Sequence, residues 1–92
     1  PGYYEDGAYG IRIENLVVAR EIPESISTGE RKMLDFETIT LAPIDRDLID
    51  AELLADDERA WLNAYHVRVR ETLSPLVADD VREWLEGATT AI

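Results

Sequence analysis

Two runs in the first half of the chain have the hydrophobic pattern of β-strands. Residues 11–22 are rich in isoleucine, valine and leucine and end at Pro23, which cannot donate to a β-ladder. Residues 34–41 form a second β-prone run, and a polar stretch over residues 24–32 separates the two. We therefore predict an antiparallel strand pair with a long connection.

The first ten residues precede these strands and have a different composition. They hold three glycines and three tyrosines around the dipeptide Asp6-Gly7. Asp-Gly favours a tight turn, because glycine adopts a positive φ without steric cost. We predict a loop over residues 1–10 with a turn at this dipeptide.

Helical spacing begins in the second half of the chain. Between Asp56 and Leu73 the apolar residues recur at steps of three or four, which places them on one face: Trp61, Leu62, Tyr65, Val69 and Leu73. We predict an amphipathic helix that ends near Ser74-Pro75, because proline disfavours helical geometry in its predecessor. Before this helix, Asp50 is positioned to cap a short helical turn that runs to Leu54.

A second helix is predicted from Asp79 or Asp80 to about Gly87. Its apolar face would carry Val81, Trp84, Leu85 and Ala88. Strands therefore come first and helices last, which predicts an α+β fold class with an antiparallel sheet portion followed by two or three helices.

Composition and charge exclude several classes of protein. The 92 residues carry 20 acidic against nine basic side chains, a net charge of −11 that repels phosphate backbones and anionic headgroups. We expect no nucleic-acid or membrane partner, and no apolar run approaches the roughly 20 residues of a membrane span. The absence of cysteine excludes thiolate metal sites and agrees with a cytoplasmic location. Because the chain begins with Pro1, we interpret it as a piece of a longer polypeptide.

Arg12 and Glu14 are the strongest local indication of chemistry. They are two residues apart in the first predicted strand, so their side chains lie on the same face. Apolar residues occupy both faces of this strand, which predicts burial on both sides. A buried charged pair costs several kcal/mol unless it is paired or bound to a cation. The spacing alone also fits an ordinary Arg–Glu pair on a sheet surface.

Other polar and aromatic residues have simpler interpretations. His66 is the only histidine, and without cysteine or a second histidine it is interpreted as a satisfied or solvent-facing histidine of the long helix and not as a metal ligand. The acidic clusters at residues 56–58 and 79–80 are interpreted as helix starts and not as Ca²⁺ or Mg²⁺ sites. The aromatic residues Trp61, Tyr65 and Trp84 are interpreted as core, with a partner interface as the alternative.

Three blocks of the sequence resemble one known family. Residues 1–15, PGYYEDGAYGIRIEN, resemble the last active-site block of the Xaa-Pro aminopeptidases (aminopeptidase P), which are M24 metallopeptidases with a pita-bread fold. Residues 36–45 and 61–66, FETITLAPID and WLNAYH, are similar to the tail extension of the longer, three-domain members. This resemblance implies that residues 1–45 end the catalytic domain and that residues 46–92 form a helical C-terminal extension. The two tail blocks argue against methionine aminopeptidases, creatinases and typical prolidases.

The resemblance also implies a metal centre. In this family two divalent ions, commonly manganese, are held by two aspartates, one histidine and two glutamates, and the last glutamate lies in an Arg-Ile-Glu strand. That position corresponds to Glu14, which would bridge both Mn²⁺ ions. Arg12 would lie outside the metal ligands and orient acidic groups or the substrate. The expected substrate is a proline-containing peptide, and the expected assembly is a homodimer.

The other metal ligands of the family have no counterpart in this chain. The isolated chain is therefore expected to bind manganese weakly and to be inactive. The alternative, from a different functional class, is a non-catalytic dimerisation or protein-interaction module in which the strand carboxylate is incidental.

Overall fold

The computed structural model describes residues 2–23 and 32–92. The chain divides into two compact units, Pro1–Thr40 and Leu41–Ile92. The described strands all lie in the first unit and the described helices in the second. The predicted α+β order, strands first and helices last, is confirmed.

The first unit opens with a short β-hairpin. Strand β1 (Tyr3–Glu5) pairs antiparallel with β2 (Tyr9–Ile11), with Tyr4 opposite Gly10. The amide of Ala8 donates to the Glu5 carbonyl at 3.0 Å, and Gly7 has a φ of 73°. The predicted turn at Asp6-Gly7 is therefore confirmed. The prediction of a loop over residues 1–10 is wrong, because the tyrosines on either side of the turn pair as strands.

A second hairpin contains the predicted antiparallel pair. Strand β3 (Val17–Glu21) pairs with β4 (Leu34–Thr38), as expected. The predicted bounds are wrong, because residues 12–16 lie outside regular strands and separate Ile11 at the end of β2 from β3. Beyond the strands, Ile39 N donates to the Leu16 carbonyl at 2.9 Å and continues the pairing. Most of the predicted connection, residues 24–31, lies outside the described residues.

The two faces of this second hairpin differ in polarity. Residues opposite each other in an antiparallel pair share a face, so Val17, Ala19 and Phe36 lie on one side. The other side carries Arg20, which forms ion pairs with Asp35 at 3.4 Å and with Glu37 at 3.3 Å. The prediction that the strand is buried on both faces is wrong, since every residue of β3 is exposed in this chain.

Two α-helices make up most of the second unit. Helix α1 (Asp56–Leu73) has the predicted bounds, and α2 (Asp79–Ala88) begins at one of the two predicted positions. A 3-10 helix (Ser74–Leu76) follows α1 at the predicted proline. Acidic residues occupy both first turns, and the Glu58 carboxylate accepts from the amide of Ala55 at 3.0 Å.

The segment before α1 differs from its prediction. Asp50 accepts a hydrogen bond from the amide of Glu52 at 3.1 Å, but residues 50–53 form a single turn and not a helix. The helical piece lies earlier, as a 3-10 helix (Arg46–Leu48) capped by the Asp45 side chain. Both aspartates therefore fold the chain locally, each by accepting from an amide two residues ahead.

The core of the second unit is small and is built around one face of α1. The buried apolar residues are Leu62, Tyr65, Val69 and Leu85, with half-buried residues packed around them. The predicted faces of both helices are confirmed at these four positions. The interpretation of both tryptophans as core is wrong, because Trp61 is 52% exposed and Trp84 is 62% exposed. Trp61 instead stacks on Tyr65, with ring centroids 5.4 Å apart.

Candidate functional site

Glu14 lies in the extended segment between the two hairpins of the first unit. Its side chain is exposed, and among the described residues its carboxylate forms no hydrogen bond or ion pair. Arg12 does not pair with it, so the ordinary Arg–Glu surface pair is not formed. Both carboxylate oxygens of Glu14 are thus open to solvent.

Arg12 is held by a residue that the sequence pattern did not single out. Its Nε donates a hydrogen bond to the Tyr4 hydroxyl, and its guanidinium carbon lies 5.6 Å from the centre of the Tyr4 ring. The hydrogen bond fixes one edge of the guanidinium and leaves the terminal NH₂ groups to donate elsewhere. Tyr4 in β1 therefore orients Arg12 just beyond β2.

Two glycines make room for this arrangement. A Cβ atom on Gly10, the cross-strand partner of Tyr4, would lie 2.8 Å from the Tyr4 Cδ1 atom. A Cβ atom on Gly2 would lie 2.7 Å from the carbonyl oxygen of Ile11. The glycines on either side of the first hairpin were the available sequence signal for Tyr4, because glycine in a strand marks close approach of another group.

A neighbouring tyrosine on the same hairpin has an altered acidity. The Tyr3 hydroxyl donates to the Glu5 carboxylate at 2.7 Å, and its ring lies 6.0 Å from that of Tyr9. The hydrogen bond to Glu5, with a smaller contribution from desolvation, raises the pKa of Tyr3. Tyr3 is therefore a hydrogen-bond donor and not a base at neutral pH.

The exposed carboxylate of Glu14 fits one position of a metal centre. Carboxylate oxygens are hard ligands that suit manganese and magnesium, and no cation among the described residues pairs with this one. Within residues 2–23 and 32–92 there is no group of three or more histidine and acidic side chains that could hold a metal ion. Glu14 can supply one donor group, and the remaining donors of a two-metal site would have to come from elsewhere.

His66 lies in the second unit and holds the segment that follows the sheet. It is 1% exposed, and its Nε2 accepts a hydrogen bond from the amide of Ile44 at 3.1 Å. The adjacent Tyr65 hydroxyl donates to the Ala42 carbonyl at 2.7 Å and lies 3.3 Å from the Ala42 amide. Burial, followed by the positive charge of Arg46 and then of Arg70, lowers the pKa of His66.

A comparison with protein families identifies the class of this chain. Residues 32–92 match the family described as the C-terminal region of peptidase M24. Because the match covers more than half of the chain, the chain belongs to this family. The resemblance drawn from the three sequence blocks is confirmed.

Curated relatives carry the name of one enzyme. The whole chain is 49% identical to "Probable Xaa-Pro aminopeptidase P" of Coprinopsis cinerea and 50% identical to the protein of that name in Paracoccidioides brasiliensis. It is 47% identical to Aminopeptidase P1 of Lotus japonicus. The chain spans only about 14 to 15% of the length of these relatives.

A solved structure agrees with the fold. The crystal structure of X-prolyl aminopeptidase from Caenorhabditis elegans, a cytosolic enzyme with a di-nuclear active site, matches the whole chain with a TM-score of 0.81 and 36% identity. The chain covers 15% of that structure. The predicted fold class, an α+β part of a pita-bread domain, is confirmed by this match together with the family assignment. Among the described helices, none is long and apolar enough to cross a bilayer.

Proposed function

We propose that this chain is the C-terminal segment of a dinuclear-metal aminopeptidase that removes an N-terminal residue preceding proline. The observation that carries the proposal is Glu14, an exposed carboxylate without a partner among the described residues, placed directly after a hairpin that orients Arg12. The names of the relatives and the di-nuclear site of the Caenorhabditis elegans enzyme support it. The substrate would be a peptide with proline in second position.

Glu14 and Arg12 would have different roles. The carboxylate of Glu14 would help to hold a pair of divalent ions, which we propose to be Mn²⁺. Such ions, when bound, lower the pKa of a shared water so that it can attack the peptide bond. Arg12, held at Nε by the Tyr4 hydroxyl, would direct its NH₂ groups toward acidic ligands or the substrate.

We propose that the domain boundary lies near residue 45. Residues 1–45 would complete the catalytic domain, and residues 46–92 would form a helical C-terminal extension. The separation of the chain into units at Thr40 and Leu41 supports this division. The isolated chain would be inactive, because one carboxylate cannot hold two metal ions.

We further propose a cytoplasmic homodimer. The cytosolic location of the Caenorhabditis elegans enzyme supports the first part. For the second, Trp61 offers an aromatic surface that is 52% exposed and rigidly stacked on Tyr65, the kind of side chain enriched at interfaces. Sedimentation of the full-length protein and its Trp61→Ser variant tests whether Trp61 contributes to dimer formation. An unchanged sedimentation coefficient would exclude Trp61 from the subunit contact.

The decisive experiment uses the full-length enzyme and its Glu14→Gln variant, which keeps the side-chain shape and removes the charge. We expect hydrolysis of an Xaa-Pro peptide to fall by more than the roughly 10–100-fold typical of residues that only support metal ligands. Metal content, measured by mass spectrometry, should fall by one or both ions per subunit.

Glu21→Gln is the matched control. Glu21 lies at the end of β3 and pairs with Lys32 at 3.0 Å, so its neutralisation should leave activity and metal content unchanged. If Glu14→Gln behaved like this control, Glu14 would be removed from the metal centre. The chain would then be better described as a non-catalytic dimerisation or protein-interaction module.

A further inference from the structure

An open groove in the second unit is lined by none of the residues proposed for the metal centre. Its volume is about 500 Å³, and its walls are residues 43–47 on one side and α2 on the other. Trp84 lines it with an indole ring that remains 62% exposed. A large aromatic ring left in the wall of a groove indicates a contact surface.

A hydrogen bond links the two walls of the groove, and the helix backbone that lines it is accessible at Gly87. Arg46 Nη1 donates to the carbonyl of Gly87 at 3.3 Å and joins the two walls, and Asp45 caps the 3-10 helix on its own side. A Cβ atom on Gly87 would meet nothing within 4 Å, so the backbone of α2 is accessible there.

The charge of the groove is negative. Asp45, Asp47 and Glu83 line it against one basic residue, Arg46. The carboxylates of Asp47 and Glu83 have no hydrogen-bond or ion-pair partner within the described part of the chain. A cation would be attracted to these carboxylates and to the chain as a whole, which has a net charge of −11.

We propose that this groove binds an arginine side chain presented by a separate basic polypeptide. The guanidinium would stack on Trp84 and donate to Asp47 and Glu83. Arginine fits better than lysine, because its planar group stacks on an aromatic ring and also presents donors in a fork toward carboxylates. Its aliphatic stem would lie along the apolar part of the groove, at Pro43 and Ala88.

The test measures binding of one peptide and its neutral isostere. The probes are acetyl-Gly-Arg-Gly-amide and the same peptide with citrulline, which has the shape of arginine without its charge. The 92-residue chain carries two tryptophans, so a Trp61→Phe background lets fluorescence and the indole N–H resonance report on Trp84 alone. We expect the arginine peptide to bind at least about threefold more tightly than the citrulline peptide at low salt.

Charge variants locate the site. Asp47→Asn with Glu83→Gln should weaken arginine-peptide binding by about threefold to tenfold and reduce its salt dependence. Glu71→Gln with Glu86→Gln removes the same net charge from exposed helix positions that do not line the groove and should leave affinity within about twofold.

Three results would overturn the proposal. The first is equal affinity for both peptides, and the second is an equal loss in both double variants, which would show attraction to net charge alone. The third is full protection of Trp84 from acrylamide quenching in the full-length enzyme, because the groove would then be covered by the enzyme's own chain. None of these results bears on Glu14 or on the proposed hydrolysis.

Discussion

Mild acid is expected to destabilise the helical unit through His66. The neutral imidazole accepts a hydrogen bond from the amide of Ile44 at Nε2. Protonation at that nitrogen would bring the imidazolium N–H and the amide N–H together, and neither can accept. The groups around the ring give no compensation: Arg46 and Arg70 are positively charged, and the Tyr65 ring lies 5.9 Å away. The Nδ1 atom is buried and has no partner among the described residues.

The sign and the limit of the effect follow from proton linkage. The pKa of His66 is lowered on folding from 6.5, so below that pH the unfolded chain binds a proton that the folded chain does not. Stability is therefore full above pH 6.5 and falls as the pH decreases toward the folded pKa. At about pH 5.5 the loss reaches at most about 1.4 kcal/mol, the value for one pH unit with a fully neutral folded state.

Urea unfolding of the chain, followed by circular dichroism between about pH 8 and 5.5, measures this loss. His66→Gln is the comparison, because the glutamine amide oxygen can accept near the position of Nε2 and does not titrate. From pH 8 to pH 5.5 the free energy of unfolding of the His66 chain should decrease by up to about 1.4 kcal/mol relative to that of His66→Gln. His66→Phe removes the acceptor and should cost about 1–3 kcal/mol above pH 6.5, and this cost should shrink toward pH 5.5 because phenylalanine does not titrate. If His66→Gln lost stability in parallel with the parent chain, the imidazole would not be the titrating group.

Two further predictions concern other contacts. Tyr65→Phe removes the hydroxyl that bonds both polar groups of Ala42 and should lower the free energy of unfolding by about 1–2 kcal/mol in urea titrations; a change below about 0.5 would contradict it. Gly10→Ala should displace the Tyr4 ring and speed hydrogen exchange at the arginine Nε that it holds, as measured by NMR. Gly87→Ala is its control, because the added methyl meets nothing within 4 Å and should stabilise α2 by up to about 1 kcal/mol. Equal exchange rates in both glycine variants would contradict the role of Gly10.

The helices could be predicted from the sequence because their signals are local. The bounds of α1 follow from apolar spacing and from the proline after Ser74. Both strands of the second hairpin were also predicted, although not their ends. The division of residues 11–22 could not be predicted, because the residues that separate β2 from β3 include no glycine or proline to mark a break in the strand.

The contacts made by Arg12 and His66 depend on groups distant in sequence. Arg12 was paired with Glu14 because they are two residues apart, whereas its actual partner, Tyr4, is brought close by the turn of the first hairpin. Of the two interpretations of His66, the solvent-facing one is wrong, because the residue is buried and accepts from Ile44, which lies 22 residues away along the chain. Periodicity reports which face of an element is apolar and gives no information on such pairs.

The hydrogen bonds from Tyr65 and His66 to the backbone of residues 42 and 44 affect which positions can vary among related proteins. An extended segment usually satisfies its backbone on a neighbouring strand, but here two consecutive side chains of a helix take that place. Any residue other than proline supplies the same backbone groups at position 42, where the side chain is exposed. Tyrosine and histidine have few substitutes that reach as far. Substitutions should therefore accumulate at position 42 and be rare at positions 65 and 66, which hold the backbone of residues 42 and 44.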